Sequence, residues 1–235
     1  MSRSFLALCR EFVSDLGIAG GVLQSTQGLT QQQLIRACDL VSRADLFVQN
    51  KWADWKFLWF LDTITGAAGS DRLTPNKTPA TPIAFDQESM VFEPASSTTQ
   101  YPQFMDWRTF YLTYQSQPKT TMPCPANWSI DPTGSIVLSH YLEAQATFAV
   151  QYRIQPTAMA KDSDTSPIPT QFDHIIVERA KILYAQRENA PEILAGSSAE
   201  FAVILSQLEA AYLPGWAPNI TGQNDQTTQP DGYVV

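Results

Sequence analysis

The chain has 235 residues, 44% of them hydrophobic and only 16% charged, with 16 prolines and 11 glycines. That length allows one large domain or two small ones, and the hydrophobic fraction is enough for a proper core. A formal net charge of −8 argues against a dedicated nucleic-acid binder, which needs clustered Lys and Arg to displace counterions from phosphates. It does not exclude a surface past which DNA slides without sticking. No apolar run approaches the ~20 residues of a membrane span. The opening MSRSFLALCREF is broken by Arg10 and Glu11 after a very short apolar stretch, so a soluble product made in the cytosol is expected.

Phe5, Leu8, Phe12, Val13 and Leu16 recur at helical spacing, and Gly17 closes the pattern, which predicts a helix over 4–16. Thr30 offers an N-cap for a second, longer helix over 30–55. Its stripe is heptad-like: Leu34, Val41, Val48 and Trp55 lie seven apart, with Cys38, Asp45, Trp52 and Trp59 four beyond each. One charge, Asp45, sits in that seam. On this reading Trp52 and Trp55 anchor the helix to the core, while Phe57 and Trp59 begin the strand FLWFLDTIT. Cys9 and Cys38 fall on apolar faces of the two helices and, with Cys124, form an odd set without CxxC spacing. Buried reduced thiols are expected.

Residues 71–103 are rich in Pro, Thr and Ser, with strand-like pieces at 82–85 and 89–93. Phe104, Trp107, Tyr111 and Tyr114 predict a brief helix over 104–114. ANWSI, the turn DPTG and SIVLS read as a hairpin over 126–139, and QATFAVQYRI as a further strand over 145–154. Thr170 with Asp173 three residues on is an N-terminal capping signature for a helix over 170–188. Asn189 and Pro191 open another over 190–212, which Pro214 stops. The fold class expected is α+β, mainly α: a helical bundle with a β-rich insertion at about 56–156. Residues 1–213 then form one domain and 214–235 an extended C-terminal arm with little power to form a core.

Candidate chemistry is sparse. His140 and His174 lack metal-ligand spacing, and no phosphate-loop, dinucleotide or nucleophile-elbow motif occurs. Asp162 and Asp164 form a carboxylate pair of the kind glycoside hydrolysis uses, but they flank a serine in a loop, where turn hydrogen bonds are the ordinary role. No catalytic, cofactor or metal site is therefore assigned. Arg36 and Arg43 share one helix face, pointing to solvent or to acids of a neighbouring copy.

The order of these elements resembles the adaptor (head-to-tail connector, or head-completion) proteins of tailed bacteriophages. The likeness runs from about Phe5 to Pro214. It rests on Trp52 and the segment Asp54-Trp55-Lys56-Phe57-Leu58, on Asp131-Pro132, on Tyr152 with Pro156, and on Asp164, Pro167, Ile168, Pro169, Phe172, Asp173 and His174. The segment 66–100 and the C-terminal arm depart from it. The resemblance implies a non-enzymatic virion protein of the neck that forms a ring, usually twelve-fold, beneath the portal and continues the DNA channel. The expected partners are portal protein, further copies, and tail or neck proteins below the ring, with no membrane and no cofactor. It also implies that the arm reaches the portal, through Pro214, Gly215, Trp216, Tyr233, Val234 and Val235. The alternatives are a stopper or nozzle protein of the same neck, or a virion-borne cell-wall hydrolase.

Overall fold

The computed structural model describes residues 3–18, 23–27, 31–74, 82–93 and 100–213. Helix α1 (Phe5–Asp15) starts where the Ser4 hydroxyl accepts the Ala7 amide, and it buries Phe5, Leu8, Cys9, Phe12 and Val13. It closes as expected: Gly17 takes φ +62°, and Gly17 and Ile18 return their amides to Ser14 and Val13.

Helix α2 (Gln32–Lys51) follows Gln31, while Thr30 lies outside the described residues. It ends four residues short of the expected boundary at 55. Trp52 is already extended (φ −132°, ψ 137°) and 44% exposed, so it is not a core anchor. Trp55 is fully buried, yet it arrives there from a turn rather than along the helix. Its indole N–H donates to the Val48 carbonyl at 2.9 Å, filling one of the acceptors that a helix end leaves open. That bond is the physical reason the seam stops early.

Lys56–Leu58 form a single 3₁₀ turn, so Phe57 precedes the strand instead of belonging to it. The strands that follow are β1 (Trp59–Gly66), β2 (Arg72–Leu73), β3 (Pro82–Phe85), β4 (Val91–Glu93) and β5 (Gln103–Phe104). After helix α3 (Trp107–Phe110) come β6 (Thr121–Met122), β7 (Asn127–Ile130), β8 (Ile136–Leu138), β9 (Tyr141–Leu142) and β10 (Ala146–Ile154). The helix expected over 104–114 is thus shorter: α3 passes into a π-helical turn, Tyr111–Gln115. Thr113 and Ser116 hydroxyls donate to carbonyls four residues back, competing with the helical amides there.

Strand β10 is the centre of one sheet, ordered β1-β10-β3, with β4 also on β10. It pairs antiparallel with β1 from Trp59 opposite Arg153 to Gly66 opposite Ala146. Its even-numbered residues, Ala146 to Ile154, all point inward, as period-two alternation requires. The second sheet runs β2-β8-β7-β5, and β6 pairs with β9. The two layers touch at Gly66, where an added Cβ would stand 2.5 Å from Leu142 and 2.7 Å from Leu73. The expected DPTG turn joins β7 to β8 with Gly134 at φ +82°.

Helix α4 (His174–Glu188) follows a 3₁₀ turn, Thr170–Phe172. Asp173, at the N-cap of α4, makes no side-chain cap bond; one of its carboxylate oxygens pairs with Arg3 at 2.5 Å, and the α-helix starts at His174 rather than at 170. Asn189 turns the chain in the left-handed region (φ 55°), and Pro191 opens helix α5 (Pro191–Tyr212). Pro214 lies outside the described residues. Helix α4 packs on α1, α2 and α5, and residues of α1, α2, α4 and α5 share one buried cluster with both main sheets. The fold is mixed α and β, 44% helical and 22% strand.

Candidate functional site at the root of the last helix

Three of the singled-out residues, Trp52, Phe57 and Phe172, converge on the end of α5. Tyr212 meets Phe57 edge-on at 6.0 Å between ring centroids and Phe172 at 6.1 Å. Phe57 in turn stacks on Trp55 at 5.1 Å. One turn earlier, Glu209 accepts the Trp52 indole N–H at 2.8 Å and pairs with Lys51 at 3.5 Å. Segments near residues 55 and 172 therefore grip the same helix end from two sides. Such edge-on and offset aromatic contacts are favoured by the ring quadrupoles. Leu213 donates its amide to the Glu209 carbonyl, so α5 is tied down to the last described residue.

The other motif residues build supports elsewhere. Leu58 is fully buried in the core. Asp131 organises the β7–β8 turn, accepting from the Thr133 and Ser135 amides at 2.9 and 3.0 Å and from Arg72 at 2.6 Å. These bonds outweigh the opposing effect of partial burial and hold its carboxyl below the usual range. Pro132 is exposed at the same turn, and Asp54 is exposed beside β1. Pro167 and Pro169 bracket the buried Ile168 and fix an extended path into α4.

That path is locked to α2 by a group visible in the sequence as the odd charge in its seam. Asp45 is wholly buried. It accepts the Ser166 hydroxyl at 2.6 Å and the Gln49 side-chain amide at 2.7 Å. Burial pushes its carboxyl up to about 6, against the opposing pull of these two hydrogen bonds. The two receiving residues at the helix end, Tyr212 and Glu209, carried different signals. Tyr212 belongs to the apolar stripe of α5, whereas nothing local marks Glu209.

Asp162 and Asp164 fasten loops. Asp162 accepts from Ser25 at 2.6 Å and from the Thr26 amide at 2.7 Å, and Asp164 from the Ala160 and Lys161 amides, both at 2.8 Å. These hydrogen bonds hold both carboxyls below the usual range. His140 shares a hydrogen bond with Ser139, and His174 lies 3.4 Å from Glu200. Arg43 pairs with Asp39 on its own helix. Cys9 and Cys38 are buried free thiols and Cys124 is half-buried. The hydrogen bond to Cys38, together with burial, pushes the Cys9 thiol up. Among the described residues no cluster of His, Cys, Asp or Glu could hold a metal, and no helix is long and apolar enough to cross a membrane.

The arm residues Pro214, Gly215, Trp216, Tyr233, Val234 and Val235 lie outside the described residues. What the geometry provides is the packed end of α5, Tyr212 and Leu213, which precedes them in the sequence. No protein-family model and no curated protein matches the sequence.

Proposed function

We propose that this chain is a neck adaptor of a tailed bacteriophage: a structural, non-enzymatic protein that docks under the portal and continues the DNA channel toward the tail. Residues 1–213 form its single domain, a helical bundle with a β-rich insertion, and residues 214–235 form the arm that engages portal protein. The copies assemble head to tail into a closed ring, twelve-fold as the resemblance implies, with tail or neck proteins below it. Its place is then the virion neck.

One observation carries this reading: the motifs of the resemblance occur in their expected order, and two of its segments meet through Phe57 and Phe172 on Tyr212, next to the proposed arm. A partner-binding arm needs a packed root. A tether that frays at its base spreads its far end over many positions and lowers its effective concentration at the partner. The net charge of −8 suits a channel wall that must not hold phosphates. The test is co-sedimentation with portal rings encoded in the same genome. Direct binding in the absence of other neck proteins supports the adaptor, and binding that needs a pre-assembled neck points to a stopper or nozzle instead.

A further inference from the structure

Helix α2 presents an outer face that the fold leaves open. Phe47 is 43% exposed there, beside a shallow groove of about 400 Å³ lined by Arg43, Leu46, Phe47, Asn50 and Lys51. From α4, the Arg179 guanidinium lies 3.9 Å from the centre of the Phe47 ring. Among the described residues Arg179 has no carboxylate partner: its Nε is buried without a hydrogen bond, and desolvation lowers its pKa with no acid acting against it. In a chain of net charge −8, this face carries a local excess of cations. Arg43 and Lys51 are offset by Asp39 and Glu209, while Arg36 is exposed and Arg179 is left over.

The opposite character appears on the outer face of the β1-β10-β3 sheet. Leu61 on β1 is 73% exposed. Beside it a groove of about 310 Å³ is lined by Asp54, Lys56, Trp59, Asp86 and Gln151. This groove holds two carboxylates, one lysine and a broad aromatic wall. Acids and apolar surface here answer cations and apolar surface on α2.

We propose that the α2 face is the seat of a second copy of this chain, which enters with its sheet face so that Leu61 meets Phe47 and the Asp54–Asp86 groove meets Arg43 and Arg179. The occupant is another copy because every copy carries both halves of the match, and the acid that Arg179 lacks is then supplied across the contact. Two different faces make the contact heterologous, so it repeats around a ring. This rests on the ring reading above and names the surfaces that would build it.

The test uses the full chain with Cys124→Ser, mixing copies that carry Phe47→Cys with copies that carry Leu61→Cys and adding a short bis-maleimide. Circular dichroism and melting first verify that each variant is folded. Cross-linked mixed dimers should exceed like pairs about tenfold. Arg43→Glu with Arg179→Glu on the Phe47→Cys copy should abolish the excess, and Asp54→Lys with Asp86→Lys on the other copy should restore it, since opposed charges set which faces meet. A mixed yield no greater than that of like pairs overturns the proposal, as does loss by charge reversal without rescue. Portal co-sedimentation of the wild-type chain reads the adaptor function separately. Cross-linking without portal binding keeps this contact and removes the adaptor, and the converse result does the reverse.

Discussion

At the scale of single residues, Asp45 is the group whose protonation matters most to the fold. Its folded-state pKa of about 6 stands above the ~3.9 of an exposed aspartate. The folded state therefore holds its proton more tightly than the unfolded chain does. Below about pH 4 both states are protonated and the buried carboxyl costs nothing extra. As pH rises from about 4 to 6 the unfolded chain ionises first, and stability falls by up to about 3 kcal/mol, after which it levels off. Asp45→Asn keeps an acceptor for Ser166 but has no charge to bury. Urea midpoints measured from pH 4 to pH 8 should slope downward for the wild type and stay flat for Asp45→Asn. An equal slope in both would assign it to other groups. Asp45 was legible in the sequence as a charge in an apolar seam. Its partner Ser166, 121 positions away, was not, because a polar pair across the core leaves no local periodicity.

At the scale of elements, two glycines make opposite predictions. Gly66 ends β1 where the two sheets meet, and its missing Cβ is the space taken by Leu142 and Leu73. Gly66→Ala should destabilise by about 1–3 kcal/mol through overpacking. Gly196 lies within α5 with nothing within 4 Å of an added Cβ, so Gly196→Ala should stabilise by about 1 kcal/mol through helix propensity. Thermal melts of both variants check the pair. Tyr212→Ala removes the ring gripped by Phe57 and Phe172 and should cost about 2 kcal/mol, read as a shift in urea midpoint.

Periodicity made β3, β10 and the β7–β8 hairpin readable, because alternation and turn residues act within a few positions. The end of α2 was not readable. The heptad continues through Trp55, but the Trp55 indole captures the Val48 carbonyl and the chain turns instead. The start of α4 failed in the same way. Thr170 and Asp173 spell a cap, yet Thr170–Phe172 form a 3₁₀ turn, and Asp173 pairs with Arg3 from the other end of the chain instead of capping α4. In each case a contact distant in sequence overrode a local preference. The aromatic joint was half-legible: Phe57 and Phe172 stood out as motif residues, while their meeting on Tyr212 needed the fold.

At the scale of the whole molecule, helices and sheets share one buried cluster, and the last helix is held firmly at its end. In the proposed role this gives a rigid body that carries a separate portal-binding arm. The most direct measurement is co-sedimentation with portal rings of the full chain beside a chain ending at Leu213. Circular dichroism and melting would verify that the shorter chain is folded. The expected result is that both fold alike, the full chain pellets with portal, and the truncated chain stays in the supernatant. Equal co-sedimentation of the two would contradict the role assigned to the arm, and failure of the full chain to bind portal would contradict the adaptor itself.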